Sequence, residues 1–294
     1  MSFDLYFCRQ DRSLPAIAEL KEYFAASGLF KTTDTEDGRV QFWYQNEATG
    51  VYCDFSYSPL DAAELEGSGS GGLSFNLNYV RPSFFAYETM PLVEAFCRRF
   101  NLDVEDPQEQ TVGPAETSRL IRTWLAQNQQ AMGAVVKMAK EEDMELHYLP
   151  EPEATAWWEY MSIRQRIENA LNEDVFVPSL MILLGPTQQL FTMMVWQTDV
   201  TQFFPRCRYV LMHREKKRMF GTKVETGLVA YDSVIAALGA LLDDYELDGL
   251  TIKYLKPDKT ARLAQVVQTL ELSPVDLGQH TQIATDRFHD VALF

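Results

Sequence analysis

The stretch Leu73-Ser74-Phe75-Asn76-Leu77-Asn78-Tyr79-Val80 alternates between apolar and polar side chains as far as Tyr79. This period of two predicts a β-strand, because successive side chains of a strand point to opposite faces of its sheet. The Leu, Phe and Tyr side chains predict a face that packs on a core, and the Ser and Asn side chains predict a polar face. Pro82 predicts the end of the strand.

The preceding residues predict further strands of the same sheet. Residues 40–44 and 51–57 are rich in aromatic side chains and flank a loop that contains Gly50, which is typical of a β-hairpin. Residues 3–8 alternate in the same way and predict another strand. The polar run 61–72 ends in alternating Gly and Ser, and this composition predicts a flexible loop.

Two helices are predicted to cover this sheet. The first follows a candidate N-cap at Ser13, has Pro15 in its first turn and ends at Gly28. The second spans residues 84–100. The order of strand, helix, three strands and helix predicts an α+β unit with helices on one face of the sheet.

The acidic stretch 103–114 contains two prolines and a glycine, and it predicts a linker between units 1–110 and 115–294. The second unit also mixes helices and strands. Its predicted helices are 117–142, 153–172, 231–242 and 259–270, and its predicted strands are 145–149, 177–184, 189–197, 206–213, 218–222 and 250–254. The predicted fold class is therefore α+β, with two units that each have a mainly antiparallel sheet covered by helices.

Composition excludes several classes of protein. Among 294 residues, 46% are hydrophobic and 12% are aromatic, which excludes an intrinsically disordered chain. No apolar run reaches the roughly 18–20 residues of a membrane-spanning helix. The N-terminus has no secretory signal, and the four cysteines form no CxxC pair. We therefore expect a cytoplasmic protein with reduced thiols.

No motif in the sequence indicates catalysis. The four histidines are scattered, and no HExxH or G-x-S-x-G pattern is present. The Gly-rich run at 67–72 lacks the Gly-Lys-Ser/Thr ending of a phosphate loop and leads into a strand. Paired carboxylates such as Glu141-Glu142 are common, but spacing alone does not place them across a cleft. We predict no catalytic residue, no metal site and no cofactor.

Charge is the clearest signal for function. The formal net charge is −16, and residues 1–113 hold 8 Lys and Arg against 18 Asp and Glu. Such a surface repels nucleic-acid phosphate and anionic lipid, so we expect neither as a partner. It attracts a basic protein and accelerates the encounter with it. The alternative is that the acidic charge serves solubility alone.

Acidic and aromatic side chains of the first unit are the candidates for partner binding, because such surfaces grip basic partners. The alternative is that the aromatic rings fill the space between sheet and helices. The candidate residues are Glu47, Asp54, Asp61, Glu64, Glu66, Tyr44 and Tyr52.

One segment opposes the acidic trend, because residues 206–223 hold seven Lys and Arg against a single Glu. It predicts a basic hairpin tip between two strands, able to contact an acidic partner or a phosphate. The alternatives are a solvated turn or pairing with the chain's own acids. The residues of this candidate basic patch are Arg214, Lys216, Lys217 and Arg218.

Three stretches resemble bacterial immunity proteins of interbacterial toxin systems of the polymorphic or type VI kind. The resemblance lies mainly in residues 1–100 and rests on overall pattern without a diagnostic motif. It implies a binder of one cognate toxin that acts by occlusion and has no catalytic residues. The stretches are Ser2-Phe3-Asp4-Leu5-Tyr6-Phe7, Phe42-Trp43-Tyr44-Gln45-Asn46-Glu47-Ala48-Thr49-Gly50-Val51-Tyr52 and Asn78-Tyr79-Val80-Arg81-Pro82-Ser83-Phe84-Phe85.

We therefore expect a non-enzymatic protein-binding module, in the form of an immunity protein whose acidic face covers a basic toxin. Its carboxylates would stand in for the phosphates of the toxin's substrate. Two alternatives stay open: an enzyme whose site lies in a cleft between the two units, and an adaptor or loading chaperone with several partners. The sequence does not identify the partner or the oligomeric state.

Overall fold

The computed structural model describes residues 1–11, 13–36, 38–59, 72–142, 145–171, 175–198, 200–217, 222–255 and 263–292. The side chains of 140, 142, 216, 217 and 222 are not described. The chain forms two compact units. One comprises Met1–Leu146 and Thr285–Phe294, and the other comprises His147–Ala284. The predicted loop at 61–72 lies almost entirely outside the described residues.

The first unit is built on an antiparallel sheet in the order β2-β3-β4-β5-β1-β6-β7. The N-terminal strand therefore lies inside the sheet, between β5 and β6. The strands are β1 (Ser2–Cys8), β2 (Phe30–Asp34), β3 (Val40–Gln45), β4 (Tyr52–Tyr57), β5 (Leu73–Asn78), β6 (Asp103–Asp106) and β7 (Thr111–Pro114). The helices are α1 (Ile17–Ser27), α2 (Phe84–Phe100) and α3 (Thr117–Glu142).

Aromatic side chains form the core between this sheet and its helices. Phe55 of β4 lies with its ring centroid 5.2 Å from that of Phe24 on α1 and 5.0 Å from that of Phe96 on α2. Burial alternates along β5, where Leu73, Phe75 and Leu77 are buried and the residues between them are partly exposed. The alternation predicted for this strand is confirmed, because every second side chain meets the core.

The predicted linker at 103–114 was wrong, since these residues form the β6–β7 hairpin at the edge of the first sheet. The Asp106 carboxylate accepts hydrogen bonds from the backbone N–H groups of Gln108 and Glu109 and so stabilises the turn. Proline and glycine are tolerated at an edge strand, which is why their presence did not indicate a linker here. The division at 110–115 differs from the two compact units, because α3 belongs to the first.

Two further features of the first unit differ from the sequence analysis. Strand β2 was not predicted, because four of its five residues are exposed and carry no apolar alternation. Ser13 does not cap α1, which begins at Ile17 after Ala16. The Glu19 side chain accepts a hydrogen bond from the Ala16 N–H instead. Gly28 ends this helix with φ of 65°, as predicted.

The second unit contains two sheets. One has the order β16-β13-β12-β10-β9-β17, in which only the described β10–β12 pair is parallel, and the other has the order β11-β15-β14. The strands are β8 (His147–Tyr148), β9 (Met181–Leu184), β10 (Leu190–Trp196), β11 (Phe203–Phe204), β12 (Tyr209–Lys217), β13 (Thr222–Ala230), β14 (Leu242–Leu247), β15 (Leu250–Leu255), β16 (Ser273–Pro274) and β17 (Thr281–Gln282). The helices are α4 (Glu151–Ala170), α5 (Tyr231–Leu238) and α6 (Leu263–Thr269). The predicted α+β fold class is confirmed.

The strands of the second unit differ from the prediction in several places. The strand expected at 218–222 lies outside the described residues except for Thr222, which begins β13; this strand runs to Ala230 and pairs with the whole length of β12. Strand β14 was not predicted, because three acidic side chains weaken its apolar pattern. Asp248 and Gly249, both with positive φ, form the two-residue turn between β14 and β15.

The C-terminal segment belongs to the first unit and includes β18 (Phe288–His289). The buried Asp290 accepts hydrogen bonds from the backbone N–H and the side-chain hydroxyl of Ser83, at 2.8 and 3.1 Å. Ser83 is the residue before α2, so the carboxylate lies at the positive end of this helix.

Within the described ranges, no helix is both long enough and apolar enough to cross a bilayer.

Candidate functional site

The face of the first sheet that points away from the α1–α2 core is polar. Its register places Trp43, Asp54, Asn76 and Asp4 directly opposite one another on four neighbouring strands, β3, β4, β5 and β1. All four side chains are partly exposed. Since neighbouring strands lie about 4.8 Å apart, Asp54 and Asp4 are separated by about 10 Å.

Two more carboxylates follow on the same face. Glu105 of β6 is opposite Tyr6 of β1, and Asp103 is opposite Cys8. We refer to the partly exposed surface made by Asp4, Tyr6, Trp43, Tyr52, Asp54, Asn76, Asp103 and Glu105 as the polar face. It carries four acidic groups.

Hydrogen bonds fix the orientation of two of these carboxylates. Asp4 accepts from the Asn76 amide at 2.6 Å and from the Ser2 hydroxyl at 3.0 Å. Asp54 accepts from the Ser56 hydroxyl at 2.8 Å. The donors lie on the same sheet, so the carboxylates are held by a rigid scaffold rather than by a mobile loop.

An aromatic pair stands beside Asp54. The rings of Trp43 and Tyr52 stack, with centroids 5.4 Å apart and planes inclined by 17°. Phe85 meets the Tyr52 ring edge to face at 5.6 Å. The Arg81 guanidinium donates two hydrogen bonds to the Tyr52 hydroxyl, at 2.7 and 3.1 Å, and its carbon lies 5.7 Å from the ring centroid. Tyr52 is thus held from several sides.

A strained turn positions Arg81. Val80 has φ of 62°, a conformation that β-branched residues rarely adopt. Asn128 on α3, fully buried, accepts a hydrogen bond from the Val80 N–H at 2.7 Å and donates one to the Arg81 carbonyl at 2.9 Å. The turn is therefore over-determined by the helix packed beside it, as strained backbone at functional sites tends to be.

The structure brings only some of the predicted binding residues together. Tyr52 and Asp54 lie on the polar face, and Glu47 lies exposed in the turn between β3 and β4. The other acidic candidates, Asp61, Glu64 and Glu66, lie outside the described residues.

Tyr44 was expected to be exposed, and this was wrong, because it lies on the core side of β3 and is only 5% exposed. The register sets it opposite Cys53, whereas Tyr52 is opposite Gln45. Its hydroxyl donates to Glu88 on α2 at 2.7 Å, and the same carboxylate oxygen accepts from the side chains of Asn46 and Thr49. Burial, and then the Glu88 charge, raise the pKa of Tyr44 well above its usual range.

The prediction that Arg214 belongs to an exposed basic patch was also wrong. Its side chain is 10% exposed, pairs with Glu225 at 3.2 Å, and donates to the backbone carbonyls of Val267, Gln268 and Leu270 at the end of α6. Pairing with the chain's own acid, the alternative reading of the sequence, holds for this arginine. Lys216 and Lys217 end β12, but their side chains are not described, and Arg218 lies outside the described residues.

The second unit contains a groove of about 900 Å³ between α4, the residues before β12 and the start of α5. In its wall, Glu153 pairs with Arg208 at 2.7 Å and accepts hydrogen bonds from the N–H and hydroxyl of Thr192. Burial raises the pKa of the Cys207 thiol well above its usual range, so this thiol stays protonated at neutral pH. The groove therefore offers a bound ion pair and an unreactive thiol.

No family model, curated protein or solved structure matches the chain. Within the described ranges, no group of three or more His, Cys, Asp and Glu side chains is arranged to hold a metal ion.

Sequence reasoning missed several residues of the polar face, namely Asp4, Trp43, Asp103 and Glu105. The alternation in β1 and β3 contains the signal for the first two, because it places them opposite to the apolar positions. The strand order was the missing information, since only the insertion of β1 between β5 and β6 brings Asp4 beside Asn76 and Tyr6 beside Glu105.

Proposed function

We propose that this protein is a non-enzymatic binding protein that docks a basic protein partner on the polar face of its first unit. One observation carries the proposal: four carboxylates and a stacked aromatic pair share one face of a rigid sheet. Interfaces are enriched in aromatic side chains, and a few such residues supply most of the binding free energy.

Charge supports a basic partner over an acidic one. The chain carries a net charge of −16, and the face itself holds Asp4, Asp54, Asp103 and Glu105. Two described cations lie beside the aromatic pair: Arg81, which is bonded to Tyr52, and Lys31, which is opposite Trp43 on β2. A surface with this balance attracts cationic proteins over a distance of about 8 Å at physiological salt.

The specific form we propose is an immunity protein that occludes a toxin, in keeping with the resemblance of residues 1–100. A toxin that acts on nucleic acid has a basic substrate site, and the carboxylates of the polar face would take the places of backbone phosphates in that site. Occlusion needs only a rigid complementary surface. This agrees with the hydrogen bonds that hold Asp4 and Asp54 in place.

The test compares two triple variants with equal charge change. The first neutralises the polar face through Asp4→Asn, Asp54→Asn and Glu105→Gln. The control neutralises exposed acids elsewhere through Glu22→Gln, Glu116→Gln and Glu246→Gln. Partners are captured from a lysate of the source cell at low and high salt, identified by mass spectrometry, and then titrated as purified proteins.

We expect one basic partner that the control variant binds like the unmodified protein and that the polar-face variant binds at least about tenfold more weakly. The capture of the partner should weaken as salt rises. Equal affinity of both variants for that partner would exclude the polar face as the docking surface. A partner that is acidic or uncharged would contradict the proposed charge complementarity.

A further inference from the structure

We propose that Trp43 and Asp54 together form a receptor for one arginine side chain of the partner, and that Tyr52, Arg81 and Asn128 hold this receptor in place. This inference rests on the proposed function and narrows it from a basic surface to a particular side chain. It assigns the indole as the stacking surface and the carboxylate as the hydrogen-bond acceptor.

The spacing of the two groups suits a guanidinium. Trp43 and Asp54 are direct cross-strand neighbours on the same face, and such neighbours have Cβ atoms about 4.5–5.5 Å apart. A guanidinium is planar, so it lies flat on an indole while its edge donates two hydrogen bonds to an adjacent carboxylate. A lysine ammonium is a point charge and lacks this combination of a stacking plane and a two-donor edge.

The indole is oriented before any ligand arrives. One side of the Trp43 ring stacks on Tyr52, and its N–H donates to the Gln45 side chain at 3.4 Å in a solvent-exposed position. The ring therefore has a fixed plane, and we assign the part of its surface that Tyr52 does not cover, on the side of Asp54, as the stacking surface. Asp54 is held by the Ser56 hydroxyl at the same time.

The support of Tyr52 extends through the unit to α3. Arg81 bonds to the Tyr52 hydroxyl and also to the Val80 carbonyl at 2.9 Å, and Asn128 fixes the backbone of this turn. The turn keeps a positive φ at a valine, which costs free energy that the surrounding contacts must offset. Such preorganisation lowers the entropy lost on binding, because the side chains are already ordered.

The charge of Lys31 determines the side from which a cation approaches Trp43. Lys31 is exposed and lies directly opposite Trp43 on β2, on the side away from Asp54. Its ammonium repels any cation that stacks on Trp43, and it therefore favours an approach from the side of Asp54. Removing this charge should strengthen the binding of an arginine.

The experiment uses the full chain and two short peptides, octa-arginine and octa-lysine. Affinities are measured by calorimetry at low salt, and the indole N–H resonance of Trp43 is followed by NMR and assigned with Trp43→Phe. The variants are Trp43→Ala, Asp54→Asn and Lys31→Gln. Asp4→Asn is the matched control, because it removes the same charge from the same face two strands away.

We expect octa-arginine to bind about tenfold more tightly than octa-lysine and to shift the Trp43 resonance. Trp43→Ala and Asp54→Asn should each abolish this preference, Asp4→Asn should keep it, and Lys31→Gln should raise the affinity for octa-arginine. Far-UV circular dichroism and urea unfolding establish that each variant is folded.

Equal binding of the two peptides, or an equal effect of Asp54→Asn and Asp4→Asn, would overturn the receptor and leave only general attraction between charges. The proposed function is tested separately by the triple variant with the captured partner. If that variant loses the partner while Trp43→Ala binds octa-arginine normally, the receptor is refuted and the docking face stands. If the triple variant keeps the partner, the docking face itself fails.

Discussion

Asn128, in the middle of α3, holds the turn after β5 through two hydrogen bonds. Its side-chain oxygen accepts from the Val80 N–H, and its side-chain nitrogen donates to the Arg81 carbonyl. Asn128 and Val80 are 48 positions apart in the chain. This contact fixes a valine at positive φ and aims Arg81 at Tyr52 on the polar face. A buried residue of the helix layer thus positions a surface aromatic pair.

Replacing Val80 with glycine should stabilise the protein. A β-branched residue at positive φ is strained by roughly 1–2 kcal/mol, and glycine adopts this conformation without strain but loses more entropy on folding. We expect Val80→Gly to raise the free energy of unfolding by roughly 0.5–1 kcal/mol, measured by urea denaturation.

Asn128→Ala should act in the opposite direction, because it leaves the Val80 N–H and the Arg81 carbonyl without their buried partner. We expect a loss of about 2–3 kcal/mol. Gln129→Ala, at an exposed position of the same helix, is the control and should change little. A stabilising Asn128→Ala, or a destabilising Val80→Gly, would show that the turn is not held as described.

Tyr44→Phe should weaken the fold and leave partner binding intact. The variant removes the donor of a hydrogen bond to Glu88 from a side chain that is 5% exposed. We expect the free energy of unfolding to fall by about 1–2 kcal/mol. Tyr52→Phe, on the polar face, is the contrasting variant and should reduce affinity for the captured partner. Reduced affinity in both variants at equal stability would argue against the assignment of Tyr44 to the core.

Arg214→Ala should destabilise the second unit. The variant removes the ion pair with Glu225 and the donor that serves the last carbonyls of α6. We expect a loss of about 2–3 kcal/mol in the free energy of unfolding. Lys223→Ala, at an exposed position of β13, should cost less than about 0.5 kcal/mol. If both variants lowered the free energy of unfolding by a similarly small amount, Arg214 would instead belong to the surface basic patch.

His289 should make stability depend on pH. Burial lowers the pKa of this histidine below its ordinary value of 6.5, so the folded protein binds its proton less readily than the unfolded chain. The free energy of unfolding should therefore fall as pH decreases through 6.5 toward the lowered value. Urea denaturation of the unmodified protein and His289→Gln at about pH 7.5 and 5.5 measures this effect. We expect a smaller decrease in the variant; a parallel decrease would assign the pH dependence to other groups.

Local patterns predicted most elements of the fold. The alternation in 73–79, the hairpin around Gly50 and the helix that ends at Gly28 are all present, because each depends on neighbouring residues only. Strands without an apolar alternation escaped prediction, as β2 and β14 show. The Pro- and Gly-containing stretch 103–114 was misread, since an edge hairpin and a linker have similar compositions.

The candidate site was predicted only in part, for the same reason. Tyr52 and Asp54 were predicted as binding residues because they are aromatic and acidic side chains of the first unit. Tyr44 was predicted on the same grounds but was assigned to the wrong face of the sheet. Which side of a strand meets the core depends on its register with both neighbours, and a shift of one residue exchanges the faces. That register is set by pairing with β2 and β4 and is not readable within β3 alone.

The sequence by itself determined an acidic α+β protein, because charge and hydrophobic periodicity are properties of neighbouring residues. Only the tertiary structure decided that Asp4 shares one row with Trp43 and Asp54, since β1 reaches β3 and β4 through pairing with β5, which is distant from it in the sequence. It also decided that the side chain of Arg214 is only 10% exposed and that Asn128 holds a turn 48 residues away. Contacts between distant segments depend on the packing of whole elements, which no local pattern encodes.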